Sequence, residues 1–316
     1  VSRSHFSLPS FAKINWSLRI LGRRPDGYHE LRTVLQTISL CDDLHFAARD
    51  DGPVTLTCDD PQIPTDEGNL IIRAALALRD LFQVRAGATI HLEKRIPAQG
   101  GLGGGSSNAA IALLGLAHLW SLTVDREELN RLGAALGADV PFFFVGGRSL
   151  ATGTGTELKP LPDAPKSHLV VITPNAGVST SAAYQALRAR ALTTSDDASI
   201  LSNSCWPAGF QASAPERLHN DFEPTVFELE PQTKSASESL WRAGASGVLL
   251  AGSGSSVFGM FDNKEAQQRA LREIPAEPGW RICAAATLSR HEYWAALRLG
   301  GVSFLDSVNL GADTGA

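Results

Sequence analysis

Residues 14–20 (INWSLRI) and 33–40 (TVLQTISL) are rich in β-branched side chains and partly alternate apolar with polar, the pattern of half-buried strands. Between them RRPDGYH, residues 23–29, carries turn chemistry. After a loop rich in Pro, Asp and Gly at 61–68, the residues Leu70, Ala74, Ala77, Leu78, Leu81 and Phe82 recur at helical spacing. Residues 89–96 read as a strand that runs straight into a glycine loop. Ser106, Ser107 or Asn108 is expected to cap the next helix, whose apolar residues over 111–120 cover most of its circumference, as in a buried helix. A third helix is predicted from an N-cap at Asp125 through Leu129, Leu132 and Leu136 to Gly137, and ADVPFFFVGG is expected to turn at once into a strand.

The second half repeats the mixture in a different order. Residues 157–167, with three prolines and two lysines, read as a linker, and 168–173 (HLVVIT) as a new strand. Residues 192–215 are rich in Ser, Thr, Ala and Pro with little periodicity and read as a surface insertion. A helix over about 225–243, a glycine stretch, a strand at 257–261 and a helix over about 264–273 complete the pattern. The fold class is therefore α+β, with two units expected, 1–163 and 164–316, the second carrying the insertion and an extra tail from about residue 290.

Charge narrows the function. The 316 residues hold 28 Lys and Arg against 33 Asp and Glu, a net charge of −5, which excludes a chain built to neutralise nucleic acid. Two stretches, 96–124 and 243–261, contain no charged residue. The first opens with a Gly/Ser loop and the second is studded with Gly and Ser, so neither suits a membrane helix, which needs about 20 apolar residues in succession. No apolar run near the start resembles a signal peptide, because Arg3, Lys13 and Arg19 interrupt it. Cys41, Cys58, Cys205 and Cys283 lie far apart without a CxxC pair, which suits neither zinc nor a disulfide framework. A cytoplasmic protein is expected.

Three segments carry chemistry. In PAQGGLGGGSSNAA, residues 97–110, a strand feeds a glycine loop that feeds a helix. Such a loop turns backbone N–H groups toward a ligand and the helix N-terminus adds positive potential, so phosphate is the natural occupant. The loop lacks the GK[ST] ending of a Walker A motif, and Ser106 stands where a dinucleotide fingerprint needs its last glycine. GVLLAGSGSSVFGMF, residues 247–261, repeats the theme and suggests a second backbone nest facing the same anion. In PSFAKIN, residues 9–15, Lys13 sits on a strand between apolar neighbours, where lysine is rare without a partner.

These three segments, in this order and at these separations, resemble the three motifs of the GHMP small-molecule kinases. Within that superfamily, Arg24-Pro25-Asp26-Gly27-Tyr28-His29, Asp66-Glu67-Gly68-Asn69-Leu70 and Gly137-Ala138-Asp139-Val140-Pro141-Phe142-Phe143 resemble the branch that phosphorylates a cytidyl-diphosphate polyol in the non-mevalonate route to isoprenoids. The resemblance covers most of residues 9–262. It implies an N-terminal domain like domain 2 of ribosomal protein S5 and a ferredoxin-like C-terminal domain. It implies ATP with Mg²⁺, Asp139 as catalytic base and Lys13 as its electrostatic partner. Val-Pro after Asp139 favours extended backbone, which places the base at a strand mouth.

The same resemblance implies substrate contacts at Asn15, Tyr28, His29, Thr180 and Tyr184, with Tyr28 or Tyr184 offering a ring face to cytosine. It implies nucleotide contacts at Asn69, Lys94, Pro97, Gly100, Gly101, Leu102, Gly103, Gly104, Gly105, Ser106, Ser107 and Asn108, with Ser106 or Ser107 near the Mg²⁺ and no carboxylate ligand named. The partners expected are ATP and a small cytidyl diphosphate, with neither nucleic acid nor membrane, in a monomer or homodimer. Ala98 and Gln99 replace a methionine and a glycine common in the family loop, and neither position is expected to require glycine. The rival readings are a homoserine- or mevalonate-type kinase of the same superfamily, which would lack DGYH, and a non-catalytic nucleotide-binding protein, which would not need Lys13 and Asp139.

Overall fold

The computed structural model describes residues 5–50, 52–175, 180–187, 218–275, 277–298 and 308–309. The insertion expected at 192–215 lies outside them, as does most of the tail beyond residue 298.

The first unit is built on two strands much longer than the alternation alone suggests: β1 (His5–Arg23) and β2 (His29–Arg49), paired antiparallel across the RPDGY turn. Phe6, Leu8, Leu44 and Phe46 extend the buried pattern well outside 14–20 and 33–40. The chain continues through β3 (Val54–Cys58), α1 (Leu70–Phe82), β4 (Gly87–Glu93), α2 (Gly104–Leu119), β5 (Val124–Asp125) and α3 (Arg126–Leu136) to β6 (Arg148–Thr152) and β7 (Glu157–Pro160). The sheet order is β3-β4-β2-β1, with β6 pairing β2 and β7 pairing β6, so part of the expected linker is an edge strand.

Helix α2 lies across this sheet with thirteen of its sixteen residues buried, as its apolar circumference requires. Its cap is not one of the three predicted residues. The helix begins earlier, at Gly104, after Gly103 in a left-handed conformation at φ +71°, and Ser106, Ser107 and Asn108 lie within its first turns. A side-chain cap is dispensable where glycine makes the turn and a ligand can take the free amides. The Asp125 cap holds as predicted, accepting from Glu128 N–H at 2.8 Å.

The second unit comprises β8 (His168–Thr173), α4 (Thr180–Leu187), β9 (His219–Asn220), α5 (Glu223–Leu229), α6 (Pro231–Arg242), β10 (Gly247–Leu250), β11 (Val257–Phe261), α7 (Lys264–Glu273) and β12 (Arg281–Ala286). Its antiparallel sheet runs β10-β11-β8-β12, the order of a split β-α-β-β-α-β motif. That matches the ferredoxin-like expectation. Strand β9 instead joins the edge of the first sheet beside β1. The two sheets meet through a shared apolar cluster that includes Ile14, Trp16, Val34, Ile38 and Leu102 from one side and Leu169, Val171, Leu249 and Phe258 from the other. Trp16 meets Phe258 edge to face at 5.7 Å.

Two further features depart from the sequence reading. Val140–Phe144 is a 3₁₀ turn rather than a strand, with Asp139 at its start in a right-handed helical conformation. Alternation would send successive phenylalanines to opposite faces, whereas a helical turn lets Phe142, Phe143 and Phe144 all enter the core, where each is at most 2% exposed. Pro141 fits the first turn of a helix, where its missing N–H costs nothing. The tail helix α8 (Arg290–Ala296) then returns to the first unit: Tyr293 is fully buried there and donates to Phe143 C=O at 2.6 Å, and Trp294 Nε1 donates to Val145 C=O at 3.1 Å. A last strand, β13 (Val308–Asn309), pairs with β5.

Candidate active site

A cavity of about 1130 Å³ opens between the two units, lined by the glycine loop, β1, the turn after it, α4 and the segment at 252–253. Its volume exceeds that of an ordinary single-ligand pocket.

At one end the loop 97–103 leads into α2. Gly101 and Gly103 adopt φ +75° and +71°, and a Cβ on Gly101 would lie 1.9 Å from Ala251 C=O. Only glycine fits that approach, because the second glycine segment packs directly behind the first: Ser256 N–H donates to Gly100 C=O at 3.1 Å. Asn220 Nδ2 pins the second segment, donating to Leu250 C=O at 2.9 Å and Gly252 C=O at 2.7 Å. The first intrahelical bond of α2 comes from Ser107 N–H, so the amides of the preceding residues, which line the cavity, have no intrahelical partner. Gln99 occupies a left-handed conformation at φ +55°, so this position does demand what glycine supplies without cost, contrary to the sequence reading.

At the centre, a register shift between β1 and β2 separates the Phe11 and Lys13 pairings, and Lys13 N–H bonds Leu102 C=O of the glycine loop at 2.9 Å. The Lys13 side chain, 5% exposed, runs beneath Gly103 and places Nζ 2.9 Å from Asn15 Oδ1 and 3.4 Å from Asp139 Oδ2. Asn15 is oriented in turn by Nδ2 donating to Thr33 Oγ1 at 2.7 Å, and Thr33 by Oγ1 donating to Ser17 C=O at 2.7 Å. Asp139 is 37% exposed and open to the cavity.

At the other end His29 stacks on Tyr184 with ring centroids 4.6 Å apart, and Phe222 meets Tyr184 edge-on at 4.8 Å. Burial, helped by the charge of Asp139, pushes the Tyr184 hydroxyl up to about 12, so it stays a donor at neutral pH. Burial and then the charge of Arg23 lower the His29 pKa, which keeps the imidazole neutral with one donor and one acceptor nitrogen. Tyr28 stands at the rim, 67% exposed. The side chain of Thr180 lies outside the described residues.

The remaining predicted contacts divide. Pro97 and Gly100 to Ser106 all line the cavity. The Ser107 hydroxyl is fully buried and turned away from it, bonded to Ser10 Oγ at 2.8 Å, while Ser10 donates its own proton to Oδ1 of Asn108 at 2.7 Å, and Asn108 also lines the cavity. Ser106, not Ser107, is therefore the hydroxyl on the cavity side. Asn69 caps α1 through Ile71 N–H at 2.9 Å and donates to Pro64 C=O at 2.7 Å. Lys94 reaches the cavity wall, but its ammonium is held by buried Asp42 at 2.9 Å and by Ile96 C=O. Lining residues that the sequence reading passed over include Arg23, Ser181, Gln185 and Phe222. The i, i+4 spacing of Ser181 and Gln185 around Tyr184 was a visible signal on α4.

A family model described as the GHMP kinases N terminal domain matches residues 69–147, and another, GHMP kinases C terminal, matches 208–279. A 4-diphosphocytidyl-2-C-methyl-D-erythritol kinase of Citrifermentans bemidjiense is 41% identical over 277 residues, covering 88% of this chain and 97% of its own. One of Solibacter usitatus is 40% identical over 93% of this chain and 92% of its own. This chain belongs to that branch of the GHMP kinases. A crystal structure of 4-(cytidine 5'-diphospho)-2C-methyl-D-erythritol kinase superposes with a TM-score of 0.71 at 35% identity, over 89% of this chain and 99% of the other. A homoserine kinase of Cytophaga hutchinsonii shares the fold, with a TM-score of 0.66 at 20% identity over 90% and 95%.

GHMP kinases use ATP, and the observed cradle fits its phosphates: left-handed glycines, a sixteen-residue helix whose N-terminus faces the cavity, and no side-chain cap competing for the amides. No helix among the described residues of this GHMP kinase is long and apolar enough to cross a membrane.

Proposed function

We propose that this kinase transfers the γ-phosphoryl group of ATP to the 2-hydroxyl of 4-diphosphocytidyl-2-C-methyl-D-erythritol, a step of the non-mevalonate route to isoprenoid precursors. The observation that carries the reading is the placement of the Lys13–Asp139 pair between a phosphate cradle and an aromatic pocket suited to a pyrimidine.

Asp139 accepts the proton of the substrate hydroxyl as its oxygen attacks the γ-phosphorus. The bond to the β-phosphate oxygen breaks and ADP leaves. Lys13, fixed by Asn15, holds positive charge where the attacking oxygen and phosphoryl oxygens converge, and the first-turn amides of α2 stabilise the phosphates. Among the described residues no group of three His, Cys, Asp or Glu side chains could hold a metal. Mg²⁺ would fit this site as an ion carried by the nucleotide's phosphates and water, with the Ser106 hydroxyl on the cavity side, and would neutralise phosphate charge. Neutral His29 matches the polar edge of a cytosine, and the ring system of Tyr184 and Phe222 its apolar surroundings.

The test is ADP release by purified protein with the cytidyl substrate, mevalonate, homoserine and galactose in parallel. Turnover with the cytidyl substrate alone is expected. Turnover only with one of the others would refute the assignment.

A further inference from the structure

The proposed substrate and ATP are both polyanions, yet the cavity's cations are mostly committed. Among its described lining residues four can carry positive charge: Lys13, Arg23, His29 and Lys94. Lys13 is paired with Asp139, and Lys94 with Asp42. His29 is kept neutral by burial and by Arg23 itself. Arg23 makes no ion pair with a described acidic residue, although acidic groups stand near it in sequence. The adjacent Arg24 takes these instead, bonding Asp26 at 3.1 Å and Glu30 at 3.0 Å.

The position of Arg23 is fixed by backbone. It ends β1 and pairs directly with His29, the first residue of β2, so the two side chains leave the same face of the ribbon. The turn between them is closed by Arg24 N–H donating to Tyr28 C=O at 2.7 Å and by Gly27 N–H donating to Arg24 C=O at 3.0 Å. Arg23 therefore borders the His29–Tyr184 pocket at a set place, with a guanidinium that no described acidic residue pairs, beside a neutral ring that suits a base. A base with a charged tail, rather than a neutral polyol, is the ligand that uses both.

We propose that Arg23 is a specificity-determining residue that binds the diphosphate of the nucleoside-diphosphate substrate, the planar guanidinium matching two phosphate oxygens as a lysine would not. This rests on the proposed function and names the part of that site which reads the substrate's charge. Arginine's fork is suited to bidentate phosphate recognition. Its exposure makes the contribution sensitive to salt.

The experiment compares wild type with Arg23→Gln and Arg23→Lys. Steady-state kinetics are measured with the cytidyl substrate and ATP, and binding of CDP and of cytidine by calorimetry. Arg23→Gln should raise KM for the cytidyl substrate by about 10- to 50-fold, with kcat lowered no more than about threefold and KM for ATP unchanged. CDP affinity should fall by a similar factor while cytidine affinity stays as in wild type, and Arg23→Lys should recover only part of the loss. Substrate KM and CDP affinity of Arg23→Gln within twofold of wild type, or equal losses for CDP and cytidine, would overturn the inference while wild-type turnover left the proposed function standing. A wild type that turns over no cytidyl substrate would remove both.

Discussion

Asp42 is a completely buried carboxylate that no reading of the sequence singled out, and its removal tests how the glycine loop is held. Its two oxygens accept from Lys94 Nζ at 2.9 Å, from Arg95 N–H at 2.7 Å and from Ile96 N–H at 2.7 Å, tying β2 to the segment that enters the loop. In Asp42→Ala, the Lys94 ammonium, itself 5% exposed, keeps Ile96 C=O but loses its counter-charge, and two amides lose their acceptor. Breaking one partner of a buried pair costs about 3–5 kcal/mol, which is a large share of the roughly 5–15 kcal/mol that stabilises a typical fold. At about 2–4 °C per kcal/mol, the melting temperature should drop by about 6–20 °C. The assay is urea unfolding of Asp42→Ala, Lys94→Met and the double variant. The double variant should be more stable than the sum of the singles requires, by about 0.5–3 kcal/mol, because it leaves no unpaired buried charge. A loss below about 1 kcal/mol for Asp42→Ala, or strict additivity, would refute the pairing. Lys94 would then be available to the nucleotide, and Lys94→Met would raise KM for ATP without a stability cost.

Replacing Asp139 by Asn removes the proton acceptor and should cut kcat at least about 100-fold with nucleotide affinity preserved; single-turnover ADP release and ATP calorimetry check it, and near-normal kcat would exclude the base. Tyr293→Phe strands the buried Phe143 carbonyl and should cost about 1–3 kcal/mol, read as a shift of the urea midpoint. Burial raises the Glu223 carboxyl to about 7, against a partial opposing effect of a hydrogen bond from Leu250 N–H. A raised folded pKa favours the protonated form, so this group's stabilisation is full below its unfolded value near 4.5 and is lost as pH rises through about 7. Glu223→Gln should therefore be more stable than wild type by on the order of 1–3 kcal/mol at pH 8 and equal to it at pH 4; equal stability at both would refute the shift. Gln99→Gly relieves a left-handed glutamine at φ +55° and should stabilise by about 0.5–1 kcal/mol in thermal unfolding, whereas a loss would show that the side chain compensates its strain.

The elements that could be read in the sequence were those whose pattern is local. Helix α1 follows its apolar spacing, α3 begins at its aspartate cap, and α2 was legible as buried because almost no polar residue interrupts it. The cap of α2 was misplaced because serine and asparagine are ordinary caps in isolation, and only the approach of a second loop shows why glycine makes that turn. VPFFF was misread because a run of phenylalanines contains no period at all. It became a 3₁₀ turn once Phe142, Phe143 and Phe144 had to reach one core and Tyr293, about 150 positions later, closed over Phe143.

The candidate site divides in the same way. In the sequence only the glycine cradle for phosphate was legible from local residue types, because its residues are contiguous; Lys13 with Asp139 and His29 with Tyr184 lie 126 and 155 positions apart, and only the resemblance of their segments to the GHMP kinases implied their roles. Tertiary structure alone decided which charges remain available. Lys94 is adjacent to the loop in sequence yet is neutralised by Asp42 from another strand, whereas among the described residues no acid pairs with Arg23, because Arg24 takes both nearby ones. Electrostatic commitment is a property of distance and burial, and residues 52 positions apart become partners only when two strands lie side by side.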